Sequence, residues 1–105
     1  MKSMVPTGRF EEFVAYGTSG SAADVDTLMN ALSAGENVAS SRLVDYALGL
    51  VETSEGQSRI RHYLHEGTQI QRNYAALYFK RRNVIYYLEE AFAAGKIDAA
   101  QAFSR

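Results

Sequence analysis

The sequence predicts an all-α protein, and three observations carry that expectation. Apolar residues recur at helical spacing along almost the whole chain, and no stretch alternates long enough to read as a strand. Capping residues mark the starts and ends of the helical patterns. With 105 residues, the chain suits a single domain, 1–105, that buries about two-thirds of the surface exposed when unfolded. We expect one compact domain of about six short helices and a terminal turn, arranged as stacked helical hairpins. Helices should begin after residues 7, 21, 37, 54, 68, 83 and 98, leaving 1–7 as a flexible segment in which Pro6 is harmless.

The first apolar stripe is Phe10, Phe13 and Val14. The stretch "YGTSGSAAD" (16–24) follows. A phosphate-cradling loop would follow a strand and carry a lysine, so this reads as a flexible connection in which Ser21 caps the next helix. The second stripe is Val25, Leu28, Met29 and Leu32. The third is a broad arc of Leu43, Val44, Tyr46, Ala47, Leu48, Leu50 and Val51, opposite Arg42, Asp45, Gly49 and Glu52. Gly49 in such a helix costs about 1 kcal/mol relative to alanine, and close helix approach and ligand contact both stand as reasons for it.

Ser54 with Gln57, and Thr68 with Gln71, have the spacing of a capping box, in which hydroxyl and amide each satisfy an orphan backbone N–H. Asp98 with Gln101 is the Asp-capped form, and Ser21 with Asp24 a looser one. Gly17, Gly35, Gly67 and Gly95 follow helical patterns and are expected just past helix ends in the left-handed conformation.

The segment "NYAALYFKRRNVIYY" (73–87) mixes five aromatics with three consecutive cations. On a helix starting after Thr68, Ile70, Tyr74, Leu77 and Tyr78 make one inward stripe, which Ala75 and Phe79 widen. Gln69, Arg72, Asn73, Ala76 and Lys80 make the polar face. Arg81 and Arg82 fall in the last turn, where they complement the helix dipole. Asn83 should break this helix and cap the next. In that next helix Val84, Ile85, Leu88, Ala91 and Phe92 point inward, Glu89 and Glu90 point away, and Tyr86 and Tyr87 flank the stripe. Base-stacking aromatics should share an exposed face with the cations, and most of these do not. The run therefore reads as core plus turn. Ile97 precedes the Asp98 cap as a hydrophobic staple, and Phe103 should dock the final turn.

A short pattern recurs as "LMNALSAG" (28–35), "IRHYLHEG" (60–67) and "LEEAFAAG" (88–95), with glycines 32 and 28 residues apart. That spacing suits two-helix units, although any glycine-capped helix gives a similar pattern. The proline, aspartate and arginine signature positions of HEAT-type repeats are absent.

Net charge is −1 but unevenly spread. Residues 1–57 carry three Lys/Arg against eight Asp/Glu, giving −5, and residues 58–83 carry six against one, giving +5. Such a chain could bind a polyanion through its basic middle, or pair acidic and basic parts within one fold or between subunits. There is no cysteine, which removes thiol chemistry and fits a reducing compartment. "MKSMVPTGRF" lacks the apolar core of a signal peptide, and no run approaches membrane-spanning length, so a cytoplasmic location without membrane association is the expectation.

Both histidines sit in "RIRHYLHEG" (59–67). The spacing of Arg59 and His65 resembles that of the HEPN ribonucleases, small all-helical proteins. The resemblance implies acid–base work for His65 and phosphoryl-charge stabilisation by Arg59. It covers those two residues, and the polar residue that usually follows the arginine is Ile60 here. His62, His65 and Glu66 make a weak metal site, and a solvated face suits them better. No hydrolytic triad or paired carboxylate in an apolar setting appears, so we expect neither cofactor nor metal. By elimination, the sequence points to a non-enzymatic protein–protein interaction module: a small adaptor, regulator or inhibitor. The surface would comprise Arg59, Arg61, His62, His65, Arg72 and Lys80, edged by Tyr86 and Tyr87. Its partner would be another protein or a second copy in a homodimer. Nucleic-acid binding through the basic 59–82 segment and a HEPN-like ribonuclease are the alternatives.

Overall fold

A computed structural model describes residues 5–34 and 38–103. The chain is all-α: the described residues contain seven helices and no strand, ordered α1 (Val5–Ser19), α2 (Ala22–Ala34), α3 (Val38–Leu48), α4 (Ser54–Glu66), α5 (Gln69–Arg81), α6 (Ile85–Ala93) and α7 (Ala99–Phe103). Two compact units divide it, 1–57 and 58–105, with the boundary inside α4. None of these helices is long and apolar enough to cross a membrane.

In the first unit α1, α2 and α3 each pack on the other two. The α2 stripe is buried in full: Val25, Leu28, Met29 and Leu32. Phe13 from α1 and Val44, Ala47 and Leu48 from α3 join it, and Val51, whose N–H donates to the Leu48 carbonyl at 3.0 Å, is buried as well. Two aromatics expected in this core lie outside it. Phe10 and Tyr46 stack on each other at the surface, with ring centroids 5.8 Å apart and planes 23° apart. The stacked Phe10 and Tyr46 rings shield part of each other's apolar faces at the margin of this three-helix core.

The glycines differ from expectation. Gly17 lies within α1, where a Cβ would run into the Ala47 carbonyl, so it lets α1 and α3 touch at backbone level. Helix α1 runs into the supposed flexible connection as far as Ser19, and α2 takes it up again at Ala22. Gly20, at φ 65°, makes the turn. Its carbonyl accepts the Thr53 hydroxyl at 2.6 Å, and the Ala22 N–H donates to Glu55 at 2.8 Å. Ser21 caps α2 as predicted, accepting from the Asp24 N–H at 3.1 Å. Gly49 sits in the turn beyond α3, not in a helix interior, and a Cβ there would meet only the Tyr46 and Asp45 carbonyl oxygens. Thr53, one residue before the expected Ser54, caps α4 by accepting the Gly56 N–H at 2.9 Å.

In the second unit α5, α6 and α7 each pack on the other two. Its buried residues are Ile60 and Leu64 of α4, Gln71, Ala75, Ala76, Tyr78 and Phe79 of α5, Leu88 and Ala91 of α6, and Ile97 and Ala102. The inward face of α5 is therefore turned from the one expected: Ile70 is exposed, while Gln71 and Ala76 are buried. The Thr68 capping box explains part of this. The Gln71 amide oxygen accepts the Thr68 N–H at 2.9 Å, and the Thr68 hydroxyl accepts the Gln71 N–H at 3.3 Å. A buried amide so satisfied is tolerated, and Gln71 turns inward. The Asp98–Gln101 pair forms the same reciprocal cap on α7.

Asn83 ends α5 at φ 63°. The Val84 N–H donates to Phe79 O at 2.9 Å and the Asn83 N–H to Lys80 O at 3.0 Å, the Schellman pattern. Val84, not Asn83, precedes α6 and offers no side-chain cap. Gly95, at φ 75°, closes α6 by the same two bonds, from Lys96 to Ala91 and from Gly95 to Phe92. Gly67 follows α4 without a positive φ, and Gly35 lies outside the described residues.

Candidate functional site

The aromatic run is split by depth. Tyr78 and Phe79 are buried in the second unit, Tyr74 and Tyr87 are half-buried, and Tyr86 stands 67% exposed. The Arg82 guanidinium lies 4.4 Å from the Tyr78 ring centroid, covering a ring that is 3% exposed. Such a ring has no free face for a nucleobase. Core plus turn is thus the arrangement of Tyr78 and Phe79.

Of the predicted surface residues, Arg61, His62 and His65 line one shallow groove of about 250 Å³ with Ser58 and Glu66. Arg59 does not line it, and its guanidinium lies 5.7 Å from the Tyr63 ring centroid. Arg72 bends back to donate to the Gly67 carbonyl at 2.9 Å, satisfying backbone just past the end of α4. Lys80 lies on α5 and lines a different groove. The expected face is therefore not one surface: Arg61, His62 and His65 line one groove, Lys80 lines another, and Arg59 and Arg72 line neither.

At the first, Glu90 carries the electrostatics. It was expected to point away, but its carboxylate accepts from Arg61 Nη2 at 2.6 Å and Nε at 3.2 Å. The same guanidinium lies 4.6 Å from the Tyr87 ring centroid, a geometry favourable to a delocalised cation. The Arg61 hydrogen bond holds the Glu90 carboxyl below the usual carboxylate range, against partial desolvation, with the charges of Arg61 and His65 adding to it. Glu90 in turn raises the Arg61 guanidinium above its ordinary value. The buried Nε2 of His65 lies 3.7 Å from Glu90 Oε1 and meets no hydrogen-bond partner. Arg59 and His65 lie about 120° apart around α4 and do not converge within one chain. Among the described residues no three His, Asp or Glu side chains gather closely enough to hold a metal ion.

The second groove was not foreseen. It has a volume of about 560 Å³ and is lined by Leu77, Ile85, Ala102 and Phe103, with Lys80 and Arg81 on its cationic side. Ile85, expected inside, is 43% exposed, and so is Phe92, whose ring meets Phe103 edge-on at 5.3 Å. The Schellman turn at Asn83 starts α6 with Ile85 facing this opening. No local signal announces it, because the groove is made by residues from three helices. Compared with known protein families, with curated proteins and with solved structures, the chain matches none.

Proposed function

We propose that the protein is a non-enzymatic protein–protein interaction module that works through its residues 58–105. The supporting observation is a groove that exposed Ile85 and Phe103 line beside the cations Lys80 and Arg81, with exposed Phe92 packed against Phe103. Exposed apolar patches rimmed by polar residues mark interaction sites and binding grooves, and aromatics with arginine are the composition interfaces favour. Tyr86, at 67% exposure, adds an aromatic of the kind that anchors binding hot spots. The cations are less suited to tracking a polyanion, since Arg61 is engaged by Glu90 and Arg72 by backbone.

Affinity capture from native cells with the wild type and an Ile85→Glu, Tyr86→Ala variant tests this reading. A protein held by the wild type and lost by the variant is expected. Nuclease-sensitive RNA or DNA retained equally by both would replace the reading with polynucleotide binding.

A further inference from the structure

The two units carry opposite charge. Residues 1–57 hold three Lys/Arg against eight Asp/Glu, giving −5, and residues 58–105 hold eight against four, giving +4. Each also displays an apolar feature to solvent. On the acidic unit it is a knob, the stacked Phe10 and Tyr46 rings, 46% and 52% exposed. On the basic unit it is the groove bounded by Leu77, Ile85 and Phe103.

Resting on the interaction reading above, we infer that the groove's occupant is a second copy of this chain, which inserts its Phe10–Tyr46 knob. Charge decides between the two ways a copy could dock. An isologous contact of groove face on groove face would bring the Lys80 and Arg81 charges of both copies into one interface with no acidic lining to offset them, a repulsive arrangement. A knob-to-groove contact sets the −5 unit of one copy on the +4 unit of the next, which steers encounter and fixes orientation. Arg9 and Arg42 flank the two rings, offset by the adjoining Glu11 and Asp45, so the attraction comes from the acidic unit's overall excess and the two rings supply the anchor. A groove of about 560 Å³ is of a size that holds aromatic side chains. Because knob and groove are different surfaces, the contact is heterologous: it continues head to tail into a ring or an open chain.

The test is sedimentation of the full chain over a concentration series at low and high salt. Two single variants are used, Tyr46→Ser on the knob and Ile85→Glu in the groove. The wild type is expected to grow with concentration and to shrink as salt screens the charges. Each variant alone should lose assembly. Their equimolar mixture should give a species of two chains that grows no further, because each variant keeps the half that the other lacks. A wild type monomeric at every concentration and low salt overturns the inference. So does either variant assembling like the wild type, or a mixture that stays monomeric. Circular dichroism reports whether the variants remain helical, and Phe10→Ser with Phe103→Ser replaces a pair that does not. A monomeric wild type that still captures an Ile85-dependent partner would leave the interaction reading standing.

Discussion

Gly17 is where α1 and α3 come closest, and its side-chain hydrogen is the reason they can. A methyl group there meets the Ala47 carbonyl, which belongs to helix backbone and cannot swing aside. Gly17→Ala should gain helix propensity and still lose stability, by about 1–3 kcal/mol as an overpacked contact. Thermal or urea unfolding of the variant measures this. Glu90 offers a second test, because its carboxyl titrates lower when folded than when unfolded. The stabilisation is therefore complete above the unfolded glutamate value of about 4.3 and is lost as pH falls through the lower folded value. Glu90→Gln removes it. Melting temperatures of wild type and variant should differ at neutral pH and converge in strong acid, so a constant difference across the range would contradict the assigned role. Neither residue announced itself in the sequence. Gly17 resembles any glycine after a helical stretch, and Arg61 and Glu90 stand 29 residues apart with no local pattern linking them.

At the scale of elements, capping chemistry was the most legible signal. The Thr68 and Asp98 boxes and the Ser21 cap form where their spacing indicates, since each is a local bond among residues three apart. The α2 stripe was equally readable, because all four residues repeat at helical spacing with Asp26, Thr27 and Asn30 among the residues between them. The inward phase of α5 was not. Its apolar residues cover most of the circumference, and the satisfied amide of Gln71 turned a polar position inward while Ile70 faced out. Asn83 makes the α5–α6 turn at a backbone angle that costs most residues roughly 1–2 kcal/mol, which asparagine partly escapes. Asn83→Gly should hold or slightly raise stability, and Asn83→Val should lower it by about that amount. Parallel denaturation curves of the two variants decide the point. The opposite order would mean that the Asn83 side chain matters more than its conformation.

At the scale of the molecule, the sequence's charge asymmetry coincides with the division into units, at 57 and 58. Composition alone revealed the asymmetry, but the groove needed three helices brought together from separate parts of the second unit. Tyr78 and Phe79 are buried and offer a polynucleotide no stacking face, and Arg61 and Arg72 are already engaged by Glu90 and backbone. Labelled RNA titrated at low salt should therefore give no saturable complex. A complex weakening steeply as salt rises would overturn that, since counterion release is the mark of phosphate contacts.

The paired backbone bonds closing α5 and α6 have a consequence for how this surface can change over time. Main-chain atoms make both reversals, so apart from Asn83, whose positive φ the first turn needs, the side chains lining the opening take no part in them. Exchanging Leu77, Ile85 or Phe103 for residues of other size would reshape the recess while the helices keep their places. Substitutions at the exposed Ile85 and Phe103 would therefore alter the recess with less disturbance than changes at buried Ala102 or at Asn83.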